Sequence, residues 1–91
     1  MMVGGFGGAS EPDEKIHELV AAHKGKVEEH SNQSFPVFEA KAVRSQVVAG
    51  MNHKVKIHIG DNKFIHVKFY DRFGDVSVSA VELDKTADDE L

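Results

Sequence analysis

Lys54-Val55-Lys56-Ile57-His58-Ile59-Gly60-Asp61-Asn62-Lys63-Phe64-Ile65-His66-Val67-Lys68-Phe69-Tyr70 is the stretch from which the fold is read. Val55, Ile57 and Ile59 alternate with Lys54, Lys56 and His58, and Ile65, Val67 and Phe69 alternate with His66, Lys68 and Tyr70. A period of two places one side-chain set on each face of a strand. The two runs therefore predict a hairpin with one apolar and one polar face. The faces match if Ile59 opposes Ile65, Ile57 opposes Val67 and Val55 opposes Phe69, with Asp61-Asn62-Lys63 as the loop. An Asp61-Asn62 loop would set Ile57 against His66 and mix the faces.

Working outward, Val76 and Val78 begin a further strand whose phase slips near Val81 and Leu83. On the other side, Phe38, Ala40 and Ala42 alternate before a slip ahead of Val47, and each slip predicts a bulge. Gly50, Gly60 and Gly74 fall at the strand breaks. Before Phe35-Pro36, the residues Ile16, Leu19, Val20, His23 and Val27 recur at helical spacing and form one apolar stripe. Ser10 followed by Asp13 resembles a capping box, and Gly25 weakens the middle of the helix. The expected fold is α+β: one N-terminal helix packed on a four-stranded antiparallel sheet. Residues 1–91 read as one domain, with a flexible tail over 1–9, the helix over 10–30 and the meander over 36–91. The helix stripe is the only element expected to cover the apolar face.

The chain has 91 residues, no cysteine and a net charge of −4. A core without bridges favours a reducing compartment and excludes thiolate metal sites and cysteine nucleophiles. The acidic excess is local: Glu82 to Leu91 holds five acids and one lysine, while acids and bases cancel in the rest. The linear sequence shows no basic stripe of the kind that nucleic acid requires. No apolar run reaches the roughly 20 residues of a membrane span. The start, MMVGGFGGAS, lacks the basic and apolar regions of a signal peptide, so the ending Asp88-Asp89-Glu90-Leu91 is not read as a retention signal. A cytoplasmic protein, free of nucleic acid and membrane, is expected.

The chemistry-bearing residues are sparse. In the expected register His58 and His66 face each other on the solvent side among lysines, without a third ligand, and read as exposed histidines rather than a metal clip. His23 reads as a partly buried core histidine, and His17, His30 and His53 have no evident partner. There is no nucleophile elbow, phosphate loop or metalloprotease helix. Neither an enzyme nor a cofactor is expected. Gln46-Val47-Val48-Ala49-Gly50 stands apart, because two valines and an alanine occupy a place where the chain must reverse. Either the valines form the tip, or they lie inside strands and only Ala49-Gly50 turns. Spacing leaves both open.

That pentapeptide resembles the motif of the cystatins, inhibitors of cysteine proteases, and the likeness extends along most of the chain. Met1 to Gly5, with the pair Gly4-Gly5, resemble the N-terminus of the stefins, the disulfide-free branch. Ile16 to Val20, Val37 to Ala40, Gly60 to Phe64, His66 to Lys68, and Asp84-Lys85 with Asp88 to Leu91 are similar to stefin segments. The resemblance implies a reversible, competitive inhibitor of papain-like proteases, lysosomal cathepsins among them. Its edge would be a wedge made of the N-terminal segment and two hairpin tips. Gly4 would let the tail backbone pass close to the catalytic residues, and Val3 with Met2 would fill non-primed pockets. Composition alone reads that tail as inert.

By the same carry-over the protease-binding residues are Val3, Gly4, Gly5, Gln46, Val47, Val48, Ala49, Gly50, Phe73 and Gly74. The second tip departs from the pattern: Phe73-Gly74-Asp75 stands where stefins usually carry Leu-Pro-Gly, and the connection is about four residues shorter. His53 replaces an aromatic residue typical beside the first tip. The alternative is a non-inhibitory or engineered binding module on the same fold. A monomer is expected, with a dimer formed by exchanging the helix and its neighbouring strand as the other state.

Overall fold

The computed structural model describes residues 7–47 and 49–91. Four antiparallel strands form one sheet in the order β1-β2-β3-β4, namely β1 Glu39–Val47, β2 Met51–His58, β3 Phe64–Arg72 and β4 Asp75–Lys85. Two helical segments, α1 Glu14–Ala22 and α2 Lys24–Ser31, precede it, giving the expected α+β, cystatin-like architecture.

The single predicted helix is interrupted at His23, two residues before the suspected Gly25. The His23 ring Nδ1 donates to the Leu19 carbonyl at 2.8 Å, while its backbone N–H is shared between Leu19 and Val20 carbonyls at 3.2 and 3.3 Å. This competition for one carbonyl displaces the helical ladder locally. The start is also later than expected. Asp13, not Ser10, is the cap, its Oδ1 accepting from the Ile16 amide at 3.0 Å. Ser10 is instead paired with Val43 of β1, each donating its amide to the other's carbonyl at 2.9 Å. Asn32, in the left-handed conformation at φ 57°, closes α2.

The apolar stripe behaves as read. Ile16, Val20 and Val27 are buried together with Phe35, Ala40, Val43, Val55, Ile57, Ile65, Val67 and Phe69. His23 is half-buried, edge-on to the Phe69 ring at 6.1 Å. The slip in the first strand comes earlier than expected: the bulge is at Lys41, between Ala40 and Ala42, which were read as alternating in phase, and pairing runs regularly from Ala42 to Val47. The bulge turns Val43 toward the helices and leaves Ala42 on the other face. β4 carries two irregularities against β3, one between its partners for Lys68 and Phe69 and one between those for Phe64 and His66.

The register of the central hairpin corrects the expectation by two residues. Ile57 opposes Ile65, Val55 opposes Val67 and His53 opposes Phe69, and the loop is Gly60-Asp61-Asn62, closed by the Ile59 amide on the Lys63 carbonyl at 3.1 Å. Gly60 and Asp61 take φ of 111° and 51°, a reversal that glycine permits without a Cβ clash. His58 consequently faces Phe64, with ring centroids 5.1 Å apart, and His66 faces Lys56.

His66 is 2% exposed, so it is not the solvent-facing histidine expected. The polar sheet face is in fact partly covered. Lys56 donates to the carbonyls of Ala87 and Asp89, both at 2.6 Å, and Arg44 Nη1 to the Leu91 carbonyl at 2.7 Å, so the C-terminal segment lies across that face. The acidic end of the sequence thus lies over two basic strand positions, Arg44 and Lys56, that only strand pairing brings close together.

Candidate functional site

A meander puts its first and third reversals at the same end of the sheet. Here these are the β1–β2 turn, after Val47, and the β3–β4 turn, after Arg72. The first turn packs against the end of β3, the residues that lead into the second turn. A Cβ built on Gly50 would stand 2.7 Å from the Asp71 carbonyl oxygen and 3.2 Å from Arg72 Cα. Gly50 also has φ 128°, so both space and conformation require glycine there.

Val47 is the last paired residue of β1, opposite Met51, and is 68% exposed. It is therefore a strand residue by pairing and an unburied apolar group by environment. Ala49, at φ 41°, turns the chain into Gly50. Gln46 points to the other side of the hairpin, its Oε1 accepting from Asn52 Nδ2 at 3.0 Å. That contact braces the strands just below the tip. Val48, and also Val3, Gly4 and Gly5, which carry the remaining expected roles, lie outside the described residues.

The second turn is the shortest hairpin connection. Arg72 pairs with Asp75, and Phe73 and Gly74 between them have φ of 52° and 99°. Two consecutive positive φ values define a type I′ turn, whose twist suits the flanking strands but whose first position favours Asn, Asp or Gly. A phenylalanine in that position costs about 1–2 kcal/mol. The ring is 85% exposed and gains nothing from the core in return. Strain combined with an exposed aromatic group is a feature of surfaces that meet a partner.

Gly7 stands at the same end, donating its amide to the Ser45 carbonyl at 2.9 Å and receiving Arg44 Nε on its own carbonyl at 2.8 Å. Thus Gly7 and Ser10, at the two ends of the described part of the expected flexible tail and its boundary, are hydrogen-bonded along the outer edge of β1.

Behind the tips, between α1 and the sheet, a cleft of about 600 Å³ is lined by Asp13, Ile16, Leu19, Ser45, Met51, His53 and Asp71 among others. His53 acquires the partner that the sequence did not suggest, a 2.7 Å hydrogen bond between its Nδ1 and Ser45 Oγ. Burial pushes the His53 imidazole below its ordinary value, against the opposing pull of Asp71 and Asp13. Among the described residues no group of three or more histidine and acidic side chains could share a metal ion. Tyr70 and Asp71 also belong to this end, and sequence reasoning missed both. Correct register would have found Tyr70, because it pairs with Asn52 beside the first tip.

A cystatin domain family model matches residues 4–74. Cystatin-A of Bos taurus is 38% identical over 95 aligned positions, which span 100% of this chain and 97% of that protein. Leukocyte cysteine proteinase inhibitor 1 of Sus scrofa is 36% identical over 92 positions, 93% of this chain and 89% of its own. Stefin-C of Bos taurus is 32% identical over 93 positions, 98% and 92% respectively. The chain belongs to the cystatin family, in its stefin branch. Members of that family are protease inhibitors, not enzymes, in keeping with the lack of catalytic motifs.

Proposed function

We propose that the protein is a reversible, competitive inhibitor of papain-like cysteine proteases, lysosomal cathepsins among them. It would act by filling the active-site cleft with the tip end of its sheet. The observation that carries this reading is the packing of Gly50 against Asp71 and Arg72, the residues that lead into the second turn. It gathers Val47 and Phe73, both exposed and apolar, at the edge where Gly7 also lies. A protease cleft is an apolar groove that holds extended backbone beside a nucleophilic thiolate. A tight turn fills its mouth without presenting a peptide bond in line for attack. Burying one valine side chain contributes on the order of 1.5–3 kcal/mol before ordering costs.

In this reading Val3, Gly4 and Gly5 continue the edge along the non-primed side, and Val47, Val48, Ala49 and Gly50 form its centre. Phe73 and Gly74 complete it, with Gln46 as an internal brace. A cytoplasmic location and a monomeric active form accompany the proposal. Zero cysteines support the former. No helix of the described residues is long and apolar enough to cross a membrane.

The test is a titration of papain with a fluorogenic substrate. Inhibition should reach one-to-one stoichiometry, be relieved by dilution, and leave the inhibitor chain intact by mass spectrometry. Full papain activity at micromolar protein would sink the proposal and favour a non-inhibitory binding module, for which the two-residue second turn is the motivating feature.

A further inference from the structure

Two consecutive residues of β3 fasten both tips. Tyr70 and Asp71 point to opposite faces of the sheet, as neighbours on a strand must. Tyr70 Oη donates to the Ala49 carbonyl at 2.8 Å and so holds the left-handed residue of the first turn from one side. The Asp71 backbone carbonyl is the group against which Gly50 packs. Its carboxylate Oδ1 accepts from the Gly74 amide at 2.8 Å and fixes the strained second turn. Each contact is replaceable by water in isolation. Together they tie Ala49, Gly50 and Gly74 to one rigid dipeptide.

We propose that Tyr70 and Asp71 are positioning residues of the inhibitory edge. They set the Ala49–Gly50 and Phe73–Gly74 turns relative to each other before a protease is met. This rests on the inhibitory reading above and deepens it. Preorganisation raises affinity by removing ordering from the binding step, and apparent affinity scales with the fraction of molecules already competent. The strand delivers that fraction through main-chain and side-chain groups that need not touch the protease themselves.

The experiment compares wild type, Tyr70→Phe, Asp71→Ala and Asp71→Asn. Tyr70→Phe removes one hydroxyl and keeps the ring. Loss of one hydrogen bond of ordinary net strength corresponds to about a fivefold weaker inhibition of papain. Asp71→Ala should weaken it similarly, and Asp71→Asn, which keeps an acceptor oxygen, should recover most of the loss. Melting temperatures should fall by no more than about 4–8 °C, the shift that one such hydrogen bond carries in a domain of this size, so the variants stay folded in the assay. In the free protein, ¹⁵N relaxation should report lower order at Ala49 in Tyr70→Phe and at Gly74 in Asp71→Ala. A merely structural role would lower stability without this local signature and without rescue by asparagine.

Wild-type inhibition with both variants matching it would overturn the positioning role and leave the inhibitory reading standing. No inhibition by wild type would overturn the inhibitory reading itself. Unchanged order at Ala49 and Gly74 in the two variants overturns the positioning role whatever the protease assay gives.

Discussion

Lys56 of β2 and Asp89 of the C-terminal segment are joined by a hydrogen bond from the lysine Nζ to the aspartate main-chain carbonyl, at 2.6 Å, and the same Nζ reaches the Ala87 carbonyl at 2.6 Å. Only 9% of Lys56 is exposed, so its ammonium relies on these carbonyls for much of the solvation that water would otherwise give. The Lys56→Met variant keeps the stem and removes both donors. It should lose about 2 kcal/mol in urea unfolding, given charged hydrogen bonds of ~1.5–3 kcal/mol each and partial rehydration of the freed carbonyls. Amide exchange should accelerate over 86–91 while Val55 and Val67 stay protected. An unchanged exchange pattern there would show that other contacts hold the segment.

Stability should fall between pH 7 and pH 5. Burial lowers the imidazole pKa of both His66 and His53, with Lys56 adding to the effect at His66 and Glu82 opposing it. A base with a depressed folded pKa leaves the unfolded chain binding more protons in that window, so stability is complete above the unfolded value of about 6.5 and declines as pH drops below it. Among the described residues the buried His66 Nε2 has no hydrogen-bond partner, so a proton there finds no acceptor from them. Urea midpoints at half-unit pH steps check the slope, and His66→Gln should flatten it. A wild-type midpoint that does not move from pH 7 to pH 5 would refute this account.

Phe73→Asn should gain stability and lose inhibition. The asparagine relieves the positive φ of 52° at a turn position that suits it, worth about 0.5–1 kcal/mol, and removes an exposed ring. Thermal unfolding and papain titration on one preparation read both effects. Loss of stability would mean that the ring is held by contacts in the free protein.

Val47→Asp should weaken papain inhibition at least tenfold with a melting temperature close to wild type. The side chain is 68% exposed, so the free protein does not depend on it, whereas a charged group in an apolar cleft costs more than a lost valine contact. Equal losses of stability and inhibition would assign Val47 to the fold instead.

Much of this architecture is legible in the sequence because strand alternation and the helical stripe are strong periodic signals. Val55, Ile57, Ile65, Val67 and Phe69 all reach the core as their spacing requires. Hairpin register is less legible for a definite reason. Sliding Ile57 from Val67 to Ile65 moves the pairing by two residues, and an even slip keeps every side chain on its own face. Patterning could not separate the two. The observed choice rests on the positive φ of Gly60 and Asp61, a local property of the turn.

That same slip hid the neighbours of the first tip, since the expected register does not bring Tyr70 opposite Asn52. The burial of His66 is not legible either, because the polar face is not bare: Lys56 stands opposite His66 and holds the last residues of the chain on that face, which only the tertiary course of the chain brings about. The break at His23 depends on a side-chain nitrogen finding Leu19, which no periodicity encodes.

The two borders of the sheet are treated differently, and this bears on how the protein behaves when crowded. On the β1 side, Gly7 and Ser10 already occupy some of the donors and acceptors that a foreign strand would seek. Along β4 the ladder is irregular twice, and Asp84 has φ 57°. A second chain approaching that border would find its amides out of step at both places, with Glu82 and Asp84 adding charge. Growth of one sheet into the next is hindered at both margins, so concentrated solutions should be slow to form fibres as long as the native meander stays closed.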